Sequence, residues 1–357
     1  MPRMPSGMPE ARARRLARLA ASSVWDLVVV GGGATGLGVA LDAALRGFSV
    51  ALLESHDFAS GTSSRSPKLL HGGVRYLAQG NIALVREALA ERATVLRLAP
   101  HLAQPLSFVM PSYRWWQTPF YGLGLTAYDL MAGRAGLGRT EWLGPEATRA
   151  LLPGVATQGL LGGVKYWDGQ FDDARLALAL ARSAEAAGAL LLNHAPVASV
   201  ARVGQAETAL FELEVSDCFD PEFRHVLRAR CVVNATGVWV DGLREGGAGG
   251  RQPLVRPSQG VHVVVDREFL GGDHALLVPR TRDGRVLFAV PWLGKLILGT
   301  TDTPRQDLPR EPEPFGEEMR FILDEASRVL ARPVQETDVR SRWVGLGPLV
   351  APEDDQA

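Results

Sequence analysis

Cysteine is almost absent. The 357 residues hold only Cys218 and Cys231, with no metal-ligand spacing, which excludes a disulfide framework or a cysteine-based zinc site and fits a reducing compartment. Both are expected to be small core residues. Charge of one sign is also lacking: 38 Lys and Arg against 39 Asp and Glu leave a net charge of −1. No general field and no aromatic-studded basic patch argue for nucleic acid. No apolar run reaches the roughly 18 to 20 residues that a spanning helix needs, and the N-terminus lacks the apolar core of a signal peptide, so the cytoplasm is the expected compartment. What remains is ordinary globular composition, 46% hydrophobic and 22% charged, in a chain long enough for two domains.

The most informative stretch is residues 26–54, DLVVVGGGATGLGVALDAALRGFSVALLE: an apolar strand, a glycine turn, a helix and a second strand closing on an acid. That order reads as a dinucleotide-binding unit. Gly31 allows the tight turn, Gly33 lets the backbone approach a pyrophosphate, and Gly36 lets the helix pack close to the strand. The helix start offers free N–H groups and a partial positive charge, on which Thr35 also lies. Glu54 stands at about the spacing, roughly 20 residues, at which a carboxylate accepts hydrogen bonds from ribose hydroxyls, and an acid there disfavours a phosphorylated ribose.

The rest of the chain departs from simple βαβ alternation. Residues 1–23 read as a basic extension whose ARARRLARLA core could be helical, with Leu16, Ala17, Leu19 and Ala20 on one side; a solvated extension is favoured over a membrane-touching one because that face is small. Apolar periodicity predicts helices over 81–98, 121–132 and 172–188, with Trp115 and Trp116 ahead of the second. Beyond residue 254 short alternating segments predict an antiparallel sheet. The expected fold is α/β, or α+β overall: a Rossmann-like dinucleotide-binding domain with a mostly antiparallel β-sheet substrate domain. The expected division is the extension at 1–23, a discontinuous dinucleotide-binding domain over 24–105 and 165–245 with part of 296–357, and a substrate domain over 106–164 and 250–295; the resemblance described below makes the bound dinucleotide FAD.

A dinucleotide fold alone cannot separate nicotinamide from flavin. The segment after the ribose acid, GTSSRSPKLLHGGVRYL at 61–77, gathers hydroxyls, a lysine, a histidine, glycines and an arginine. Hydroxyls can bond pyrophosphate or ribityl oxygens, and Arg75 could hold an anionic substrate through a paired fork of hydrogen bonds. With VVVGGGATGLGVALDAALRG, TSSRSPKLLHGGVRYL, EALAERATVLRLAPHLA, YWDGQFDDARLALALA, VVNATGVWVD and PWLGKLILGTTDT, the chain resembles the FAD-dependent, quinone-linked glycerol-3-phosphate dehydrogenases of the D-amino-acid-oxidase-like flavoprotein superfamily. The resemblance runs from about residue 26 to 302.

That resemblance implies tightly bound FAD, no metal, oxidation of sn-glycerol 3-phosphate to dihydroxyacetone phosphate, and delivery of electrons to a quinone from a peripheral position on the cytoplasmic face of the membrane. A homodimer is left open. Gly31, Gly33, Thr35, Gly36 and Glu54 match the family's adenosine-diphosphate site, Thr62, Ser63 and Ser64 the hydroxyl cluster beside the flavin, and Gly237 the second cofactor turn. Arg75, Tyr76 and His262 match positions of the substrate pocket, with His262 the candidate base for the hydroxyl proton. For His262, inside the apolar run VHVVV, a satisfied core histidine is the plain alternative.

Two departures stand out. The family continues with a glycine-lysine-leucine-threonine-threonine segment over the flavin and a C-terminal helical domain, both absent here, so a C-terminally truncated member with a partly open isoalloxazine site is expected. Second, Gly347 stands where the family has an arginine before the proline, which predicts one phosphate contact fewer. A related flavin oxidase of a hydroxy acid or amine, or a non-catalytic FAD-binding fragment, are the competing readings.

Overall fold

The computed structural model describes residues 10–71, 73, 80–205, 209–245 and 252–351. Helix α1 (Glu10–Ala21) leads into β1 (Trp25–Val30), α2 (Ala34–Leu45) and β2 (Val50–Leu53). β1 ends and α2 begins where the glycine turn stands, because Gly31 takes φ 111°, a left-handed value that side-chain-bearing residues avoid. The polar segment then passes through a tight turn at Thr62–Ser64 to β3 (Leu69–Leu70). Next come α3 (Ile82–Leu98), started by the Asn81 side chain accepting from Leu84 N, then β4 (Ala103–Ser112), α4 (Gln117–Ala132), β5 (Glu141–Leu143), α5 (Pro145–Leu151) and β6 (Gly162–Phe171). Helix α6 (Asp173–Ala186) starts on an Asp172 cap that accepts from Arg175 N.

Strands β7 (Leu190–Leu192), β8 (Val197–Val203), β9 (Leu210–Ser216) and β10 (Arg224–Asn234) follow, then the short α7 (Val240–Glu245). The remainder is β11 (Val255–Asp266), β12 (Ala275–Val278), β13 (Leu287–Trp292), β14 (Lys295–Gly299), β15 (Thr303–Pro304), α8 (Gly316–Val329) and β16 (Ser341–Val350).

These strands make two sheets. The first has the order β7-β2-β1-β10-β9-β8: the four strands from β7 to β10 are parallel, and β9 and β8 extend the edge antiparallel. The second is mostly antiparallel, in the order β15-β11-β14-β13-β12-β4-β6-β3, with β16 along β11 and β5 along β6. The expected α/β class with an antiparallel second sheet therefore holds. Strands β4 and β6 run unbroken through positions 105/106 and 164/165.

One layer of apolar side chains, including Val29, Leu37, Ala40, Ala177 and Ala181, fills the space between the first sheet and helices α2 and α6. Another, including Val261, Val263, Val265, Ile322 and Ala326, packs α8 on the second sheet.

Two sequence expectations need correction. Residues 10–21 are not a solvated extension: Leu16 and Leu19, 5% and 0% exposed, enter the core of the first sheet with Trp25, Leu190 and Leu227. Arg12 fastens the helix, with Nε 2.8 Å from Asp217 Oδ2, Nη2 donating to Asn193 O at 2.7 Å and its guanidinium over the Phe219 ring. Two leucines at helical spacing suffice because the sheet offers a matching apolar face. Nor are Cys218 and Cys231 core residues; both thiols are free and exposed. Cys231 is exposed on β10 although alternation from the buried Leu227 and Ala229 would turn it inward, so the periodicity of the strand does not decide its burial.

Candidate functional site

The glycine turn is fixed by close backbone approach. A Cβ on Gly31 would come within 2.4 Å of Ala235 O, and one on Gly36 within 1.9 Å of Gly31 O, so neither position accepts a side chain without moving the strand ends. Ala235 N donates to Val30 O at 2.8 Å, which brings the end of β10 and residues 234–237 against the turn. Asn234 shapes that second turn by donating from Nδ2 to Val240 O and accepting from Thr236 Oγ1; Gly237, exposed with φ 62°, closes it. Gly33 is the N-cap residue of α2 and offers no side-chain cap of its own, and Thr35 is exposed on the first turn of the helix.

Glu54 stands beside this turn at the end of β2, 9% exposed. Its Oε2 accepts from Gly32 N at 2.7 Å and its Oε1 from His56 N at 2.8 Å. These bonds hold the carboxylate in place while leaving lone pairs for further donors. On the other side of the turn Ser63 Oγ accepts from Ala34 N at 2.9 Å, and a Cβ on Gly33 would meet that same oxygen at 3.0 Å. The hydroxyl cluster thus lies against the helix start.

The segment that carries Thr62, Ser63 and Ser64 is also bound to the second sheet. Thr62 Oγ1 donates to Leu346 O, Arg65 Nη1 to Val344 O at 3.3 Å, and Trp343 Nε1 to Arg65 O at 3.2 Å, all on β16. Arg65 also forms a fork on Glu311, both oxygens 2.8 Å from Nη2. Below it, Lys68 Nζ donates to Ser64 O and to Asp173 Oδ1, each at 2.7 Å, while Ser66 donates from N and Oγ to Asp173 Oδ2. Asp173 is 4% exposed. One acid at the start of α6 therefore ties down the whole hydroxyl segment.

His262 lies on β11 opposite Trp343 of β16, in register with the pairs Gly260 with Gly345 and Ser258 with Gly347. Opposed residues of an antiparallel pair project to one face, so this face carries His262, Trp343 and three glycines. A Cβ on Gly345 would meet Arg65 O at 3.0 Å, and one on Gly299 would meet His262 Cδ2 at 2.8 Å. The imidazole is 3% exposed, and neither ring nitrogen has a hydrogen-bond partner. Burial, with a smaller contribution from the Lys68 charge, pushes its pKa down to about 3, so it is neutral at ordinary pH.

The opposite face of β11 is built as a support. Gln259 Nε2 donates to Glu318 Oε2 at 2.7 Å, Thr301 and Thr303 hydroxyls donate to Glu318 Oε1, and Arg305 donates to Gln259 Oε1. This satisfied network fastens β11, β15 and α8 behind the histidine strand.

The structure brings Gly31, Gly33, Thr35, Gly36, Glu54, Thr62, Ser63, Ser64 and Gly237 around the C-terminal ends of β1, β2 and β10. His262 sits on the adjoining sheet, linked to them through residues 62–68. Arg75 and Tyr76 lie outside the described residues.

Sequence reasoning did not assign Asp173, Trp343 or Arg310 to the site, and counted Lys68 only as the lysine of the hydroxyl segment. Arg310 places its guanidinium 3.9 Å from the Trp239 ring centroid and 3.5 Å from Ser55 Oγ, beside Glu54. Trp239 was legible within NATGVW, but nothing local signals that residue 310 returns to it.

A parallel sheet carrying an uncapped glycine turn at its switch point, joined to an antiparallel sheet, defines a dinucleotide-binding oxidoreductase architecture. The chain belongs to the FAD dependent oxidoreductase family, whose pattern matches residues 26–356. It is 41% identical over 353 residues to the mitochondrial glycerol-3-phosphate dehydrogenase of Rattus norvegicus, covering 96% of this chain and 48% of that protein. To the SDP6 glycerol-3-phosphate dehydrogenase of Arabidopsis thaliana it is 40% identical over 357 residues, covering 96% and 56%.

The chain thus spans about half the length of the curated relatives it matches. Among solved structures, the Bacillus halodurans glycerol-3-phosphate dehydrogenase complexed with FAD superposes with a TM-score of 0.77 at 32% identity, covering 96% of this chain and 60% of that one. The FAD-bound L-alpha-glycerophosphate oxidase of Mycoplasma pneumoniae shares the fold, with a TM-score of 0.72 at 16% identity, covering 93% and 85%.

Proposed function

We propose that this chain uses FAD to oxidise sn-glycerol 3-phosphate to dihydroxyacetone phosphate, with the electrons passed on to a quinone. The observation that carries the reading is His262: a buried imidazole with two unpartnered nitrogens, on a glycine-lined strand face fastened to the hydroxyl segment that follows the ribose acid. An orphaned polar group in such a place awaits a ligand.

The residues present fit the cofactor. Gly33 and the uncapped start of α2 would hold the pyrophosphate, Glu54 the ribose, and Thr62, Ser63, Ser64 and Gly237 the remaining polar edge. FAD, when bound, supplies the hydride acceptor. The chain's own work is to hold the substrate and take its proton. Arg75 would hold the phosphate, with Tyr76 beside it, and His262 would accept the C2 hydroxyl proton. Its low proton affinity without substrate keeps the lone pair free, and an anionic substrate would raise that affinity. A charge-assisted pair such as Arg75 with phosphate contributes roughly 1.5 to 3 kcal/mol, so its loss should cost about tenfold to a hundredfold in kcat/KM.

A peripheral site on the cytoplasmic face of a membrane goes with the quinone; among the described residues no helix is long and apolar enough to cross one. Gly347, where an arginine is expected, favours a second reading: a flavin-binding protein without turnover. The two separate on the visible spectrum of the chain reconstituted with FAD without oxygen. Bleaching of the flavin band on adding sn-glycerol 3-phosphate supports the first; a band that persists with flavin still bound supports the second. A hydroxy acid or amine that bleaches it instead would assign a related oxidase.

A further inference from the structure

A loop of the second sheet reaches across to the ends of the first. Residues 305–315 run between β15 and α8, and both ends are held: Arg305 N donates to Pro257 O and Phe315 N to Glu318 Oε2, each at 2.9 Å. In between, the loop leaves its own sheet. Leu308 O accepts from Trp239 Nε1 at 3.2 Å, beyond the end of β10, and Glu311 takes the fork of Arg65, which follows the hydroxyl cluster. Arg310 lies between these two anchors. Its guanidinium sits 3.9 Å from the Trp239 ring centroid, with Nη2 3.5 Å from the Oγ of Ser55, the residue after Glu54.

Strand β1 stands between β2 and β10 in the first sheet. A side chain that touches residues beyond both neighbours therefore spans the end of β1, where residues 31–33 turn into α2. Trp239 also borders the hydroxyl segment, since a Cβ on Gly61 would meet its Cζ3 at 3.3 Å. The other charges of the loop are used: Arg305 donates to Asp307 and Gln259, and Glu311 accepts from Arg65. Arg310 has no acid within ion-pair distance among the described residues; its contacts are the indole and one hydroxyl. Nor is it needed to attach the loop, which Leu308 and Glu311 already hold on either flank. Stacking on an indole leaves the edges of a guanidinium free, and it has more N–H donors than one hydroxyl can accept. A planar fork fixed beside a glycine turn and a helix start supplies what a diphosphate needs, paired donors and positive charge.

We propose that Arg310 binds the diphosphate of FAD, adding a cation from the second sheet to the glycine turn and helix start of the first. This assignment rests on the cofactor reading proposed above and gives the diphosphate a charged partner that the turn itself lacks. The test titrates the full chain, stripped of flavin, with FAD by flavin fluorescence, and then runs ADP and adenosine as competitors. Arg310→Gln should raise the FAD Kd by about tenfold or more, with circular dichroism unchanged because the side chain is exposed. Arg310→Lys should recover part of that loss, as a point charge without the planar fork. ADP should compete better than adenosine in the wild type. In Arg310→Gln that advantage should shrink by about tenfold, while adenosine itself binds within about twofold of wild type.

An equal loss of ADP and adenosine binding in Arg310→Gln overturns the proposal, because the arginine would then serve the nucleoside or support the turn. FAD bound equally by wild type and Arg310→Gln overturns the role of Arg310 alone. A wild-type chain that takes up no flavin overturns the cofactor reading and this assignment with it, so the two failures remain separate results.

Discussion

His262 lies flat against Trp343, ring centroids 5.1 Å apart and planes 14° from parallel, on neighbouring strands of the second sheet. The same indole carries the Lys68 ammonium 5.4 Å from its centroid. Burial strips the imidazole of water, and the nearby Lys68 charge opposes a second cation, which is why its pKa falls to about 3. In the unfolded chain it titrates near 6.5. Below that pH the unfolded state binds a proton that the folded state refuses, so stability is lost as pH falls, by about 1.4 kcal/mol per unit until pH nears the folded value. Between pH 7 and 5, urea unfolding of the wild type should lose about 2 kcal/mol more than that of His262→Leu. Equal losses in both proteins would mean that His262 is not the group refusing the proton.

The hydroxyl segment should be as stable as Asp173 makes it. That carboxylate accepts from Ser66 N, Ser66 Oγ and Lys68 Nζ, and its side chain is 3% exposed against 13% for Lys68. Removing one partner of a buried pair leaves the other charge uncompensated, at about 3 to 5 kcal/mol. Asp173→Ala should therefore destabilise by that amount in urea unfolding at pH 7. A loss below about 1 kcal/mol would place the pair among solvated surface bridges.

Gly33→Asp separates folding from cofactor binding. Gly33 has φ −80° and ψ −179°, which any residue adopts, and it occupies the cap position of α2. An aspartate there can cap the helix itself, so stability should hold or rise slightly. The same carboxylate would occupy the place an anion needs, against Ser63 Oγ. Flavin content measured after reconstitution should fall to near zero while the thermal midpoint is kept; normal flavin content would move the pyrophosphate elsewhere.

How much of this was legible in the sequence follows from the range of each signal. The turn at Gly31 to Gly36 and the acid Glu54 are local, since their spacing is set by one strand, one turn and one helix, and they lie where that spacing requires. Asp173 and Lys68 are 105 residues apart and meet only because β3 pairs with β6 and α6 follows directly. Nothing in either segment announces the other. His262 inside VHVVV read equally as core or site, and alternation alone could not choose, because β11 is buried on both faces: Val261 and Val263 toward α8, His262 toward Trp343. The exposed cysteines and the docked first helix failed for the same reason, since pattern gives a face but not what covers it.

Helix α1 offers a direct check on that last point. Leu19 is fully buried against the first sheet, so Leu19→Ala should cost about 2 to 5 kcal/mol, the range for a core leucine, although it lies in a basic segment near the chain start. A change within about 0.5 kcal/mol in denaturant unfolding would show that the helix is not held there in solution.

Gly347→Arg tests whether the substrate face of the second sheet lacks one contact. Gly347 pairs with Ser258, so a side chain there would project on the face that carries His262. A Cβ at this position meets nothing closer than Ser258 O at 3.6 Å, an ordinary contact, and its φ is not left-handed. The substitution should therefore fold without strain, with denaturant stability within about 0.5 kcal/mol of wild type. A guanidinium added to an anionic substrate gains roughly 1.5 kcal/mol or more, so half-maximal bleaching of the flavin should need about tenfold less sn-glycerol 3-phosphate. Sulfate should then compete more strongly in the variant than in the wild type, as an anion drawn to the same cation. An unchanged substrate requirement in a folded, flavin-loaded variant would mean that position 347 does not face the phosphate, and that the glycine is a feature of the β11 and β16 pairing alone.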